Sequence, residues 1–318
     1  IAGRYGLNLL EVLLPSENIV VLSTPTLLAN LVVLLTQLQS DIDIIWSELV
    51  YIDGMPEGDP YKTWGWGGTD PSGYINQTAF QQVNLAPAQA SYQGSGVVVA
   101  VLDTGIDLNH PALTERLTGG GGMRANDSPP PEEGPGFAWG HGTHAAGIIT
   151  KIAPQSQLMP VRVLEPNGRG TTLKLALGIE WAVQNGADVL NISLGTIYYS
   201  FLLRDVIRRA EAAGVVVVAA AGNKGQNQIQ YPAGYASVIG VTAVDAGNIK
   251  ASFANFGANW VDLAGPGVGI TSTIIGPQGS GYASWSGTSM ATPFISGGAA
   301  LARQKHPSAT PAAISELL

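Results

Sequence analysis

The sequence predicts an α/β protein in which helices cover both faces of a mainly parallel sheet. Three observations predict this class: short apolar runs rich in β-branched residues recur along the chain, helical segments separate them, and polar residues directly follow several runs. Runs that are apolar throughout suit strands buried on both faces, which is the environment of a parallel sheet. The alternation of strand and helix indicates crossover connections, and therefore a layered α/β architecture.

The elements of this main domain can be placed along the chain in order. The predicted strands span residues 96–102, 158–164, 187–192, 215–221 and 237–244, and the predicted helices span 141–150, 172–184 and 201–213. Gly186 and Gly214 follow the last two helices, where a left-handed cap residue is expected. A further helix begins near Ser289 and continues to about Lys305, because Pro293 is tolerated only in a first turn.

The first 52 residues are predicted to form a small α+β unit, with strands at 7–13, 18–22 and 42–50 and a helix at 26–38. The uncharged stretch 18–40 raises the alternative of a membrane span, but its proline, asparagine and glutamines favour two separate elements. Residues 53–82, rich in Gly, Pro and Asp, are predicted to be a linker or extended arm that precedes the main domain at 83–318. Since the chain begins at Ile1, we treat it as a fragment or a processed product.

The composition excludes several classes of protein. Hydrophobic residues make up 45% of the chain and charged residues 12%, which excludes a chain that is disordered throughout. The net charge of −8 provides no basic surface for nucleic acid. With no cysteine in the sequence, disulfides, thiolate catalysis and Cys-based zinc sites are excluded.

Polar residues that could carry chemistry stand at the ends of these elements. Asp103, Ser193 and Asn223 each follow a predicted strand, and catalytic residues gather beyond the carboxyl ends of parallel strands. His141 lies at a glycine-flanked helix start, and Ser289 lies at another helix start, where unpaired N–H groups stabilise negative charge. The residues alone also allow other interpretations, with Ser289 as an ordinary N-cap and His141 with His144 as plain helix residues or a metal-binding pair.

The combination of motifs resembles the subtilisin-like (subtilase) serine protease family. Asp103-Thr-Gly, His141-Gly-Thr-His, Asn223 after a small-residue strand and Gly287-Thr-Ser-Met-Ala291 occur in the chain order of that family. The resemblance covers about residue 83 to the end, and it implies a three-layer α/β/α subtilisin-like fold. It implies in addition a secreted serine endopeptidase, with further structure after Leu318.

The resemblance also assigns roles to individual residues. It implies Ser289 as the nucleophile, His141 as the general base and acid, and Asp103 as the group that orients the imidazole. Asn223 would form the oxyanion hole together with the backbone N–H of Ser289. Substrate would bind as an added strand. The implied substrate-binding residues are Ser193, Leu194, Gly195, Ala220, Ala221 and Gly222. The alternative is that these six are merely strand ends dense in small residues.

No cofactor is required by this chemistry. Many relatives carry a calcium loop near the histidine helix, but here residues 146–154 continue directly into the next strand, so calcium binding is open and unsupported. The segment 119–136, rich in Gly and Pro, is predicted to be a flexible surface loop.

The implied partners are protein and peptide substrates, with no nucleic acid and no membrane. The amino-terminal unit resembles a propeptide that would act as an intramolecular inhibitor. The alternative function is a non-catalytic peptide-binding scaffold of the same fold. A nucleotide-binding domain and an α/β-hydrolase are disfavoured, since neither GxGxxG nor GxSxG occurs at the required place.

Overall fold

A computed structural model describes residues 1–14, 19–25, 28–56, 68–118 and 131–318, and the chain divides into two compact units, Ile1–Val50 and Tyr51–Leu318. The strands are β1 (Asn8–Leu14), β2 (Ile19–Ser23), β3 (Ile52–Gly54), β4 (Val98–Asp103), β5 (Gln157–Arg162), β6 (Arg169–Thr171), β7 (Val189–Ile192), β8 (Val216–Ala220), β9 (Val238–Val244), β10 (Leu263–Pro266), β11 (Ile270–Gly276) and β12 (Gly279–Trp285). The helices are α1 (Leu28–Gln39), α2 (Ser72–Asn76), α3 (Ala79–Gln82), α4 (Leu85–Gln89), α5 (His141–Ile152), α6 (Thr172–Gln184), α7 (Phe201–Ala212), α8 (Thr288–Lys305) and α9 (Pro311–Glu316).

A six-stranded parallel sheet forms the centre of the larger unit. Its order is β10-β9-β8-β7-β4-β5, and every neighbouring pair is parallel. The residues of β7 and β8 are all buried, as expected for strands that are apolar on both faces. Since β4, β7 and β8 are consecutive in the sheet, their carboxyl ends lie side by side.

Helices pack on the sheet in two groups. Helices α5 and α8 pack against each other, and α8 also contacts β7 to β10. The close approach depends on Gly297 of α8, because a Cβ atom there would lie 2.6 Å from the Cβ of Ile152. Helices α6 and α7 form the other group, with α6 against β4 and β5 and α7 against β8. The α/β class and the three-layer arrangement predicted from the sequence are confirmed.

The smaller unit contains an antiparallel hairpin, β1–β2, and helix α1. The strand predicted at 42–50 is wrong, because these residues form a turn followed by irregular chain. The Asp41 side chain accepts from the amide of Asp43 at 3.0 Å, and the Asp41 carbonyl accepts from the amide of Ile44 at 3.0 Å. This local turn competes with a strand, and Ile42 is 99% exposed.

The predicted linker differs from an extended arm wherever the structure describes it. Residues 53–56 and 68–82 belong to the larger unit, where β3 pairs with β6 and α2 and α3 form short helices. Tyr74 of α2 is buried, and its hydroxyl donates to the carbonyl of Gly147 at 2.8 Å. Across the described ranges, no helix has both the length and the apolar content needed to cross a membrane.

Candidate active site

Three of the predicted site residues lie at one edge of the central sheet. Asp103 is the last residue of β4, Ser193 directly follows β7, and Asn223 lies three residues beyond β8. All three are buried. The carboxyl edge of a parallel sheet therefore brings together residues that are 120 positions apart in the chain.

Asp103 and His141 form a buried hydrogen-bonded pair. Nδ1 of His141 lies 2.7 Å from Oδ1 of Asp103, and both side chains are wholly buried. The same oxygen accepts from the amide of Thr104 at 2.7 Å. Since a carboxylate only accepts, the Nδ1 nitrogen carries the proton and the tautomer of the imidazole is fixed.

Glycines at the start of α5 allow the histidine to reach this carboxylate. Gly140, the N-cap, has φ of 97°, a left-handed conformation that favours glycine. A Cβ atom on Gly142 would lie 2.1 Å from the carbonyl oxygen of Gly105 and 3.1 Å from the Cβ of Asp103. The motif around His141 is therefore a requirement of close packing against the end of β4.

Ser289 is the second residue of α8, and it bonds to the end of β7. Its hydroxyl donates to the carbonyl of Ser193 at 3.0 Å, while the Ser193 hydroxyl donates to the Ser289 carbonyl at 3.2 Å. Pro293 explains the second bond, because it has no N–H for the carbonyl four residues earlier. The predicted helix start near Ser289 is thus correct to one residue.

Asn223 is oriented by Thr288, the first residue of α8. Its amide oxygen accepts from the Thr288 amide at 3.0 Å and from the Thr288 hydroxyl at 2.9 Å. With the oxygen held in this way, Asn223 can donate only through its amide nitrogen. Such a donor beside a helix N-terminus can stabilise negative charge on a bound oxygen atom.

The predicted substrate-binding residues form two short backbone segments beside these groups. Leu194, Ala220 and Ala221 are wholly buried. The side chain of Asn255 holds the second segment in place, since it donates to the Ala221 carbonyl at 2.9 Å and accepts from the amide of Lys224 at 3.0 Å. Nothing in the sequence pointed to this role of Asn255.

Comparison with known proteins identifies this architecture. The profile of the Subtilase family matches residues 94–318. The chain belongs to the subtilase family. It is 46% identical to subtilisin BL from Lederbergia lenta, over 68% of this chain and 79% of that protein. It is 42% identical to a subtilisin from Bacillus pumilus, over 73% of this chain and 86% of that protein. A crystal structure of a cold-adapted subtilisin-like serine proteinase matches with a TM-score of 0.63 and 34% identity, covering 71% of this chain and 82% of that one. The protein is a serine endopeptidase.

A strand from an earlier part of the chain lies along the subtilase's predicted substrate edge. Gly54 exchanges two backbone hydrogen bonds with Gly195, at 3.1 and 2.9 Å, and β3 pairs with β6 on its other side. Met55 then donates from its amide to the carbonyl of Gly168 at 3.1 Å. The segment therefore bonds in the antiparallel manner of an added peptide strand.

Asp53, in the middle of that strand, is an unusual residue to bury. Its side chain is 1% exposed, and neither carboxyl oxygen has a hydrogen-bond partner among the described residues. Burial raises the pKa of Asp53 to about 7, because the charged form is poorly solvated there. A group in this setting is neutral in slightly acidic solution.

Glu132 is a second buried carboxyl group that sequence reasoning missed. We predicted a flexible surface loop at 119–136, but within its described part, 131–136, Glu132 is only 6% exposed. The prediction is wrong for this residue because its carboxylate accepts hydrogen bonds from Thr104, Gly140 and Thr143. The only signal was an acidic residue nine positions before His141.

His144 is a structural residue of the subtilase core. Its Nε2 lies 3.1 Å from the carbonyl oxygen of Ile270 and 3.2 Å from that of Ala283. Its ring stacks on the ring of Trp285, with 4.7 Å between the two ring centroids. Burial lowers the pKa of His144 to about 3, so the ring is neutral. Where residues are described, no three His, Cys, Asp or Glu side chains are grouped closely enough to hold a metal ion.

Proposed function

We propose that the subtilase hydrolyses peptide bonds through an acyl-enzyme formed on Ser289, with His141 as general base and acid and Asp103 as its orienting carboxylate. The observation that carries the proposal is the 2.7 Å bond between His141 and Asp103, both wholly buried at the sheet edge where α8 begins. With Nδ1 bonded to the carboxylate, Nε2 is the nitrogen that accepts the serine proton. A serine hydroxyl is a weak nucleophile at neutral pH unless such a base removes its proton.

The proposed reaction uses each of these groups in turn. Ser289 attacks the carbonyl carbon, its proton moves to Nε2 of His141, and the resulting imidazolium is stabilised by Asp103. The developing oxyanion accepts from the side-chain nitrogen of Asn223 and from the backbone N–H of Ser289. His141 returns the proton to the leaving amine, and water then releases the acyl group by the same steps in reverse order.

Substrate binds as an extended strand between two backbone edges. Strand β3 supports this proposal, because it bonds both to Gly195 and to β6 in antiparallel register. A substrate that replaces β3 would make the same backbone hydrogen bonds. Its side chains would then alternate between the enzyme and solvent, as Asp53 and Ile52 do, at 1% and 64% exposure.

Residues 1–52 are proposed to be a propeptide, so that the intact chain is a zymogen. The support is that β3, which begins at the last residue of this segment, occupies the edge that substrate needs. His141 and Ser289 are wholly buried in the intact chain, as expected for an enzyme that does not yet admit substrate. The expectation of secretion rests on the family resemblance alone and stays a prediction.

A labelling experiment tests the catalytic assignment. A fluorophosphonate probe is added to the wild type, to Ser289→Ala and to the control Ser284→Ala, an exposed serine five residues earlier. Each is tested freshly purified and after incubation that allows self-cleavage. Labelling and peptide hydrolysis should be lost only in Ser289→Ala. Equal labelling of all three proteins, or no labelling of any, would reject Ser289 as the nucleophile.

A further inference from the structure

One buried carboxylate joins the two chain segments that carry the proposed acid–base pair. Oε1 of Glu132 accepts from the Thr104 hydroxyl at 2.5 Å and from the Gly140 amide at 2.7 Å. Oε2 accepts from the Thr143 amide at 3.1 Å and from the Thr143 hydroxyl. Four protein donors therefore meet a single side chain that is 6% exposed. Such a set compensates a buried anion in part for its lost hydration.

The residues that donate to Glu132 are close neighbours in the chain of Asp103 and His141, the proposed acid–base pair. Thr104 follows Asp103 in the chain, and Gly140 and Thr143 flank His141 at the first turn of α5. The negative charge also lies at the positive end of that helix. Any displacement of α5 relative to the end of β4 would break at least one of these bonds, so the carboxylate fixes the separation of Asp103 and His141.

The Thr104 hydroxyl lies between the carboxyl groups of Glu132 and Asp103. It has one proton and two acceptors in reach, Oε1 of Glu132 at 2.5 Å and Oδ1 of Asp103 at 3.3 Å. The shorter bond takes the proton, and the hydroxyl oxygen accepts from the Gly142 amide at 3.0 Å. Oδ1 of Asp103 therefore keeps two donors, the Thr104 amide and His141, each at 2.7 Å.

We propose that Glu132 is a positioning residue for catalysis, which holds Asp103 and His141 in bonding geometry and stabilises the imidazolium through its buried negative charge. This inference rests on the proposed function of the pair. Glu132 touches no reacting atom, so its effect acts through the two residues that it aligns. Alignment changes the rate of the chemical step, whereas substrate binding on the β6 and Gly195 edges is left intact.

The charges around Glu132 fix the sign of the pH effect. Burial, together with the like charge of Asp103 at the end of β4, raises the pKa of Glu132 to about 7. From α5 Glu132 faces uncharged Thr143 and the backbone next to His141. The adjacent Glu133 pairs instead with Arg162 and is 54% exposed. Removing the Glu132 charge leaves the imidazolium less stabilised, so the acidic limb of the kcat/KM profile should move to lower pH.

The test compares Glu132→Gln with the matched control Glu133→Gln, which removes the same charge from the neighbouring residue. Rates are expressed per Ser289 site titrated by fluorophosphonate, so that misfolded protein does not count. We expect Glu132→Gln to lower kcat about 10- to 100-fold with KM changed less than about threefold. We also expect it to move the acidic limb down by about 0.5 pH unit. Glu133→Gln should change neither.

A second variant covers the case in which Glu132→Gln does not fold. Thr104→Val keeps the side-chain shape and removes the hydroxyl between the two carboxylates, and it should also lower kcat with little change in KM. The inference would be overturned if Glu132→Gln had the wild-type kcat and an acidic limb at the wild-type pH. If only Thr104→Val folds, the same result in that variant would overturn it. Loss of Ser289-dependent labelling in the wild type itself would instead reject the proposed function, and the inference with it.

Discussion

Docking of β3 against its edge strands should depend on pH through Asp53. In the docked strand the carboxyl is buried without a hydrogen-bond partner among the described residues, and its pKa is about 7 against 3.8 when free. Below pH 3.8 both states are protonated and docking has its full strength. Between pH 3.8 and 7 only the undocked state ionises, so docking weakens as pH rises, and above pH 7 it stays at its weakest.

The size of the effect follows from the difference between the two pKa values. About three pKa units correspond to about 4 kcal/mol of lost docking free energy across the whole window. Part of the weakening already occurs between pH 3.8 and pH 5. The equilibrium constant for docking of β3 should therefore fall about fiftyfold between pH 5 and pH 7. Asp53→Asn keeps the size of the side chain and removes the ionisation, so its docking should stay nearly constant over this range.

The assay measures competition for the cleft in a chain that cannot cleave itself. Full-length Ser289→Ala and the double variant Ser289→Ala/Asp53→Asn are titrated with a fluorescent peptide that has no ionisable side chain, and binding is followed by anisotropy. The ratio of apparent Kd between the Asp53 chain and the Asn-substituted chain should fall about fiftyfold from pH 5 to pH 7 and then level off. A ratio that does not change with pH would refute the argument from the buried carboxyl.

Three further predictions concern the active site. Gly142→Ala should lower kcat/KM about 100-fold, because its Cβ would lie 2.1 Å from the Gly105 carbonyl oxygen; steady-state kinetics at wild-type level would contradict this. Lys224 directly follows Asn223 and the predicted substrate-binding residues 220–222. Lys224→Glu should raise cleavage after Lys and Arg about tenfold, since a carboxylate attracts these side chains where an ammonium repels them, and an unchanged peptide-library profile would contradict it. Peroxide should inactivate the enzyme by oxidising Met290, which is wholly buried and directly follows the proposed nucleophile, and Met290→Ala should resist; equal losses of activity would count against this.

The sequence was sufficient to predict the sheet edge and the residues gathered on it. Continuous β-branched runs predicted the buried parallel strands, and the rule of strand carboxyl ends placed Asp103, Ser193 and Asn223 on neighbouring strands. The sequence placed His141 at a glycine-flanked helix start, and the contacts of Gly142 explain why glycine is needed there. These successes share a cause, because each depends on local pattern and on a topology with few alternatives.

The features that escaped prediction depend on partners distant in the chain. Glu132 is buried only because Thr104, 28 residues earlier, and the first turn of α5 supply its donors. Asp53 is buried because the strand that carries it meets Gly195, which is more than 100 residues away. In both cases composition favours solvent exposure, and the local sequence reveals neither the donors of Glu132 nor the edge that β3 meets. The strand predicted at 42–50 does not form for a related reason, because an apolar run becomes a strand only where another strand is available to pair with it.

Glu132 and Asp53 show why the hydrogen bonds of a buried carboxyl group indicate its role better than its pKa does. Both groups have a pKa of about 7 through burial, yet Glu132 accepts from four donors and Asp53 from none in the described structure. The donors stabilise the ionised form of Glu132 as it appears near pH 7, whereas no donor among the described residues stabilises an ionised Asp53. A rise in pH therefore completes the charge beside the proposed catalytic pair and at the same time weakens the strand that covers the substrate edge. The activity of the intact wild-type chain should consequently increase more steeply between pH 5 and 7 than that of Asp53→Asn, while the two enzymes should have the same profile once cleavage after β3 has removed residue 53 together with the amino-terminal unit.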